Sequence, residues 1–247
     1  MELAKVNDFR RPALPLLFDT GIDEASVAIK GSCFLVQYRN YLFVITAAHA
    51  VLGMAPGHVM VVPKSGLRIW LRNAYRVGPD EDPEGEYDVI AYDASVAGVS
   101  EADRRECRVF SLNNPRHYNW VPSAAACTFS VIGYPSEINA VDYNAGTVQS
   151  RQMLLAGEYV GPTSCPTMHL LSVRNPLGLA SFDGFSGGPV LATEPLGGDE
   201  TVTRFCGLAV SGSPASGLVH FLDAEAVVGL LNNAIETGVP IHSFKPP

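Results

Sequence analysis

The chain has 247 residues, of which 47% are hydrophobic and 17% charged, with 23 glycines and 18 prolines. That balance belongs to a globular protein of one large or two small domains and excludes fibrous, coiled-coil and low-complexity architectures. Lys and Arg number 17 against 25 Asp and Glu, a net charge of -8 that repels phosphate backbones and anionic bilayers, so neither nucleic acid nor a membrane surface is expected as a partner.

The opening MELAKVNDFRRPALPLLFD lacks the long apolar stretch and small-residue cleavage site of a secretory leader. Residues 1–25 read as an N-terminal extension, and the start at Met1 argues against maturation by trimming. Short β-type runs then follow one another: SVAIK, GSCFLVQY, YLFVIT, HVMVVP, LRIWLR, YDVIAYD and CRVFS. Arg39-Asn40 between two of them suits a hairpin turn. None of these runs approaches the roughly 18 apolar residues of a spanning helix, because Lys30, Gly31, Gln37, Arg39 and Asn40 interrupt the most apolar region. The proline-bearing segment 112–125 reads as a connection between two β halves. CTFSVIG, GTVQS, TMHLLSV, PVLAT, TVTRFCGLAVSG and GLVHFL fill the second half. Asp223 then stands at an N-cap position, and Ala226, Val227, Leu230, Leu231, Ala234 and Ile235 recur at helical spacing before Gly238. The outline is an all-β protein that ends in a helix.

Cys33, Cys107, Cys127, Cys165 and Cys206 are odd in number and widely spaced, mostly among apolar residues. They read as buried thiols in a reducing, cytoplasmic compartment. There is no H-E-x-x-H, no C-x-x-C and no phosphate-cradling G-x-x-x-x-G-K-S, so no metal or other cofactor is expected.

The densest chemical signal is Phe182-Asp183-Gly184-Phe185-Ser186-Gly187-Gly188-Pro189. Glycines there allow a positive φ and leave backbone N–H groups uncovered, so Gly184 and Ser186 can aim two donors at a developing oxyanion beside the Ser186 hydroxyl. A serine hydroxyl needs an adjacent base, usually an imidazole oriented by a carboxylate. His49 follows the run Val44-Ile45-Thr46-Ala47-Ala48 with only small neighbours, and Asp88 stands at the start of the apolar run Val89-Ile90-Ala91-Tyr92. Each alone is an ordinary strand-end residue. Together they form one of the several chain orders in which a Ser-His-Asp constellation is assembled. The sequence GFSGG also satisfies the nucleophile-elbow pattern of α/β-hydrolases, but Pro189-Val190-Leu191-Ala192-Thr193 continues as a strand where an elbow needs a helix.

TAAHA, DVIAYD and GFSGGPV together resemble the trypsin-like (chymotrypsin-fold) serine peptidases, and GSCF, VITAAHAV and VIGYP are similar to their bacterial intracellular and HtrA-like branch. The resemblance implies two antiparallel six-stranded β-barrels with a cleft between them. It divides the chain into the extension 1–25, a barrel over 26–115 with His49 and Asp88, a barrel over 116–222 with Ser186, and a helix and tail over 223–247. It makes Ser186 the nucleophile, His49 the general base, Asp88 the orienting acid, and the amides of Gly184 and Ser186 the oxyanion hole. Ser211, Gly212 and Ser213 take the place of the strand edge that pairs with an extended substrate. The implied activity is endopeptidase cleavage of a protein or peptide substrate, and the alternative is a silent scaffold of the same fold that binds protein.

Departures from the secreted relatives add expectations. Phe185 stands where zymogen-activated members carry the aspartate that pairs with a newly cut N-terminus, so the turn should form without cleavage. Ala50 replaces a bridged cysteine of those relatives. Ala180 lacks the acid that selects Lys or Arg, and with Ser211, Ser213 and Leu218 it suggests a small or medium apolar P1 residue, while His220 reads as a structural strand residue. The absence of an appended binding module leaves room for a separate regulatory or targeting partner.

Overall fold

The computed structural model describes residues 13–23, 26–55, 57–62, 68–78, 82, 86–95, 99, 109–120, 127–144, 147–175, 177–197 and 200–238. Cys107 lies outside them. The first half contains β1 (Ala13–Asp19), β2 (Val27–Tyr38), β3 (Tyr41–Thr46), β4 (Val59–Val61), β5 (Ile69–Leu71), β6 (Asn73–Tyr75), β7 (Ile90–Asp93) and β8 (Phe110–Ser111). These form one eight-stranded sheet in the order β5-β4-β1-β2-β3-β7-β6, with β8 added parallel to β2 and all other pairs antiparallel. This is a nearly closed barrel, with eight strands where six were expected.

The second half contains β9 (Thr128–Gly133), the hairpin β10 (Ala140–Asp142) and β11 (Thr147–Gln149), β12 (Met153–Pro162), β13 (Met168–Val173), β14 (Pro189–Gly197), β15 (Glu200–Ser213) and β16 (Leu218–Asp223). Six of them close into the barrel β12-β13-β16-β15-β14-β9. A single α-helix among the described residues, α1 (Ala224–Thr237), follows.

Strand periodicity builds two cores from one barrel wall, because successive side chains of a strand point to opposite faces. Val131, Val190, Cys206 and Ala209 fill the interior of the second barrel with Phe129, Phe182, Phe185 and Phe221. Their chain neighbours Ile132, Leu191, Phe205 and Leu208 face outward and join Phe34, Val36 and Tyr92 of the first barrel and Val227, Leu230 and Leu231 of α1. The interface between the barrels is therefore part of a continuous apolar core. Asn232 on α1 accepts hydrogen bonds from the Tyr38 hydroxyl and the Arg39 guanidinium at 2.9 Å each, which ties the helix to the β2–β3 hairpin.

The hairpin turn at Arg39-Asn40 is as expected, with Tyr38 paired to Tyr41 and Arg39 at φ 53°. The segment 1–25 differs from the extension read in the sequence. Residues 13–19 of it form β1, an inner strand whose Ala13, Leu14, Leu16 and Leu17 are buried. Pro15 obscures a strand pattern, because proline removes a ladder donor and belongs at edges and bulges. Here it lies just before the residues paired with β4 and beside the β1–β2 irregularity at Leu16/Leu17, where that loss is tolerated. Strand β12 was also hidden, since Ala156, Gly157 and Gly161 have little β propensity. Gly157 is required: a Cβ there would sit 2.6 Å from the Ser172 carbonyl.

Asp223 starts α1 by accepting from the Glu225 amide at 2.7 Å, and Gly238 ends it at φ 63°. Its other oxygen receives the Trp120 indole N–H at 3.2 Å and lies 3.3 Å from His169 Nε2, fastening the inter-barrel connection to the second barrel. Asp223→Ala should therefore cost more than a cap alone, about 2 kcal/mol in urea denaturation, while Asp223→Asn, which keeps an accepting oxygen, should lose clearly less.

Candidate active site

The site is assembled where the turn 182–188 of the second barrel meets the end of β3 in the first. Gly187 makes the meeting possible: it has φ +85°, and a Cβ on it would fall 2.0 Å from the Ser32 carbonyl, 2.3 Å from Thr46 Oγ1 and 3.0 Å from the Ala47 amide. Gly188 lies equally close to the wall of its own barrel, where a Cβ would be 2.1 Å from the Ile132 carbonyl. The predicted serine thus sits one residue from a backbone contact with the strand that leads to His49.

His49 lies in a short 3-10 turn, Ala48–Val51, directly after β3. The segment before β7 docks on that turn. Ala48 donates its amide to the Asp88 carbonyl at 3.4 Å, and the His49 amide reaches Asp88 Oδ1 at 2.8 Å. His49 Nδ1 meets Asp88 Oδ2 at 2.5 Å. With both carboxylate oxygens used by one residue, the ring is oriented and Nδ1 carries the proton, leaving Nε2 as the free basic nitrogen. The hydrogen bond and the charge of Asp88 raise the His49 pKa above its ordinary value of 6.5, against a smaller lowering by burial.

Ser186 is half-buried, and its hydroxyl donates to the Val210 carbonyl at 2.8 Å. No hydrogen bond joins it to His49 among the described residues. The structure therefore unites His49 and Asp88 and leaves the serine turned toward β15.

The backbone around Ser186 is almost fully engaged. Phe185 donates to the Phe182 carbonyl at 3.1 Å, Gly187 to Ala209 at 2.8 Å and Gly188 to Phe185 at 2.8 Å, and the Asp183 amide reaches Ser181 Oγ at 3.0 Å. Of the remaining amides of the turn, those of Phe182, Gly184 and Ser186, none has an acceptor among the described residues, and the last two bracket Phe185. These are the two donors expected from the sequence. Phe185 is buried against Phe182 in an edge-on contact at 6.0 Å, and Gly133 clears the space for it.

Of the predicted substrate-binding residues, Ser211, Gly212 and Ser213 form the exposed end of β15, paired on one side with β16, including Ser213 with Leu218. β14 pairs with β15 only as far as Leu208, so no described strand covers the other edge there. Gly212 lies against Phe182 and Leu218, since a Cβ on it would be 3.1 Å and 3.0 Å from their atoms. Ser211 Oγ lies 3.3 Å from Nδ1 of His220, whose ring is half-buried on β16. Ala180 is exposed, and its amide donates to Glu137 Oε2 at 2.9 Å.

Glu137, Ser136 and Ser32 are site residues that sequence reasoning missed. The signal available for Ser32 is a small polar residue inside an otherwise apolar strand. The other two carry no signal, because their partners are more than forty residues away. The four described cysteines, Cys33, Cys127, Cys165 and Cys206, carry thiols rather than disulfides, and Cys33 and Cys206 are buried.

No family model matches this sequence, and no curated protein matches it. Solved structures do. The chain is similar to the thermostable serine protease AL20 from an extremophilic microorganism, at 14% identity over 93% of this chain and 99% of that one, with a TM-score of 0.56. It is similar to the inactivated protease paralogue S-I1 of the scabies mite, at 13% identity over 95% and 99%, TM-score 0.56. It is similar also to the protease Anisep from Arthrobacter nicotinovorans, at 15% identity over 91% and 95%, TM-score 0.52. At such identities the likeness establishes the fold: the chain has the chymotrypsin-like double barrel of the trypsin-like serine proteases. One of these relatives in fold is an inactivated paralogue, so the architecture accommodates both activity and its loss.

The His49–Asp88 geometry makes a direct prediction. In an NMR titration the His49 imidazole should protonate with a midpoint above 6.5, and in Asp88→Asn the midpoint should fall below 6.5, because burial then acts unopposed. An unchanged midpoint would mean that the pair is not formed in solution.

Proposed function

We propose that the protein is a serine endopeptidase, similar to the bacterial intracellular and HtrA-like trypsin-like enzymes, that cleaves extended segments of other proteins. This reading is supported by the imidazole of His49 oriented by Asp88, and by a turn, packed against the strand that leads to His49, that carries the Ser186 hydroxyl and the unengaged amides of Gly184 and Ser186. In this mechanism Ser186 Oγ attacks the scissile carbonyl as its proton passes to His49 Nε2. The carbonyl oxygen takes up charge facing the Gly184 and Ser186 amides, and His49 returns the proton to the departing amine. Water then repeats the sequence on the acyl-enzyme, restoring the hydroxyl. Asp88 acts through His49, holding the tautomer and stabilising the imidazolium.

The resting hydroxyl of Ser186 must leave the Val210 carbonyl, a rotation between staggered χ1 wells of the kind that substrate binding drives in free enzymes. The same observation favours the second reading, a silent scaffold that binds protein through the open edge at 211–213. A fluorophosphonate probe separates the two. Labelling that disappears in Ser186→Ala supports the enzyme, and a folded protein that never labels supports the scaffold.

Ser186→Ala and His49→Ala should each reduce kcat by about 10⁴ to 10⁶, and Asp88→Asn by about 10⁴. Because the base must be neutral and its pKa is raised, kcat/KM should climb with pH through a midpoint above 6.5. A flat profile between about pH 5 and 8 would exclude an imidazole base.

Domain assignment, compartment and partners follow the same reading. His49 and Asp88 belong to the first barrel and Ser186 to the second. The thiols suit a reducing, cytoplasmic setting, no cofactor is required, and a separate protein supplies regulation or targeting. Phe185 removes the acid that a cut N-terminus would need, so the chain is active without zymogen cleavage. Mass spectrometry of the probe-labelled protein should find its N-terminus uncut. Cleavage profiling of a proteome should give small or medium apolar P1 residues, whereas a predominance of Lys and Arg would assign selection to Glu137 beside Ala180.

A further inference from the structure

Ser32 lies on β2 in the first barrel and is completely buried, yet its hydroxyl and its amide both reach the turn that carries Ser186. Its hydroxyl donates to the Gly184 carbonyl at 2.6 Å and accepts the Tyr134 amide at 2.8 Å. Its amide donates to the Ser186 carbonyl at 2.9 Å, and its own carbonyl accepts the Thr46 hydroxyl at 2.8 Å. Gly184 and Ser186 are the two residues from Asp183 to Gly188 whose amides are left unengaged. One serine from the opposite barrel therefore holds the carbonyls of both.

A planar peptide unit turns as a whole, so a fixed carbonyl or amide fixes the plane that it shares. The four units from Asp183 to Gly187 can be followed in turn. In the first, the Asp183 carbonyl accepts from the Ser136 amide at 2.9 Å and from its hydroxyl at 3.1 Å, which directs the Gly184 N–H to the opposite side. In the second, Ser32 Oγ holds the Gly184 carbonyl while the Phe185 N–H holds Phe182. In the third, the Phe185 carbonyl is held by the Gly188 amide, and the Ser186 N–H is left to point away. In the fourth, the Ser32 amide holds the Ser186 carbonyl and the Gly187 N–H holds Ala209. Each plane is anchored, and only the two candidate oxyanion donors are unspent.

We infer that Ser32 is a positioning residue for the oxyanion hole: its hydroxyl holds the Gly184–Phe185 peptide plane and its amide the Ser186–Gly187 plane, the two that adjoin the planes carrying the Gly184 and Ser186 amides. This rests on the proposed peptidase reading and deepens it. The position of Phe185 fits the inference: its ring occupies the core beside Gly133, and a Cβ on Gly133 would be 2.8 Å from Phe185 and 2.9 Å from Ser32 Oγ. The turn is thus held by a neutral buried hydrogen bond from the first barrel. Removing the hydroxyl takes from the Gly184 carbonyl the donor that holds it, and the loss is relieved by turning the peptide.

The test compares the full-length protein with Ser32→Ala, and with Ser32→Cys, whose thiol is a weak donor of similar shape. Ser32→Ala should lower kcat by about 10- to 100-fold, less than the loss of a whole oxyanion donor, with KM within about 3-fold. Ser32→Cys should fall between it and the parent. The His49 titration midpoint should not move, because the His49–Asp88 pair is untouched. Amide hydrogen exchange at Phe185 should accelerate by about tenfold or more as its plane is released. A Ser32→Ala protein with kcat within 2-fold of the parent overturns the inference, as does a kcat loss that vanishes once corrected for the fraction of folded protein. If Ser32→Ala does not fold, Ser32→Cys carries the same comparison. If the parent itself neither labels nor cleaves, the peptidase reading fails, and the positioning role is decided by exchange alone: faster exchange at Phe185 sustains it and unchanged exchange overturns it.

Discussion

The backbone contact between Gly187 and the Ser32–Thr46–Ala47 region determines how the two barrels meet. A side chain at 187 would overlap three atoms of the first barrel, so this approach exists only because the residue is glycine at a φ that other residues avoid. The surrounding interface is an apolar core shared by outward residues of β9, β14 and β15, inward residues of the first barrel and one face of α1. Such a core resists sliding, because close-packed side chains leave no intermediate positions. The meeting of the two barrels therefore has its geometry set by this packing rather than by the loops.

Above that base the site uses few charges. Among the described residues the site centres on one carboxylate, Asp88, which spends both oxygens on His49. Orientation of the ring is thereby separated from the serine, which rests on the Val210 carbonyl. A buried hydroxyl needs an acceptor, and a main-chain carbonyl supplies one without consuming the imidazole. The imidazole of His49 is thus oriented independently of the serine.

The turn that carries Ser186 is held by neutral donors and acceptors drawn from three places: Ser32 on β2, the loop 134–137 and its own chain. Glu137 extends the same support to Ala180 through a carboxylate-to-amide bond. Phe185 adds apolar packing against Phe182. Hydrogen bonds between buried neutral groups are less sensitive to pH and salt than an ammonium–carboxylate pair.

Local chemistry in the sequence identified whatever depends on near neighbours. The hairpin at Arg39-Asn40, the helix between Asp223 and Gly238, and most strands follow from turn chemistry, caps and two-residue alternation. The same holds for the residue types of the site: a serine among glycines, a histidine after a strand and an acid before one define the available chemistry wherever they fall. Only the tertiary structure decided what depends on contacts distant in the chain. Strand β1 is an inner strand because β2 and β4 pair with it, despite Pro15, and β12 closes a barrel although its own residues favour no strand. Ser32, 152 residues from Gly184, looks like a minor break in an apolar run until the fold places it under the turn. The direction of the Ser186 hydroxyl is likewise invisible in the sequence, since it depends on a carbonyl that every residue possesses and that only the path of β15 brings within reach.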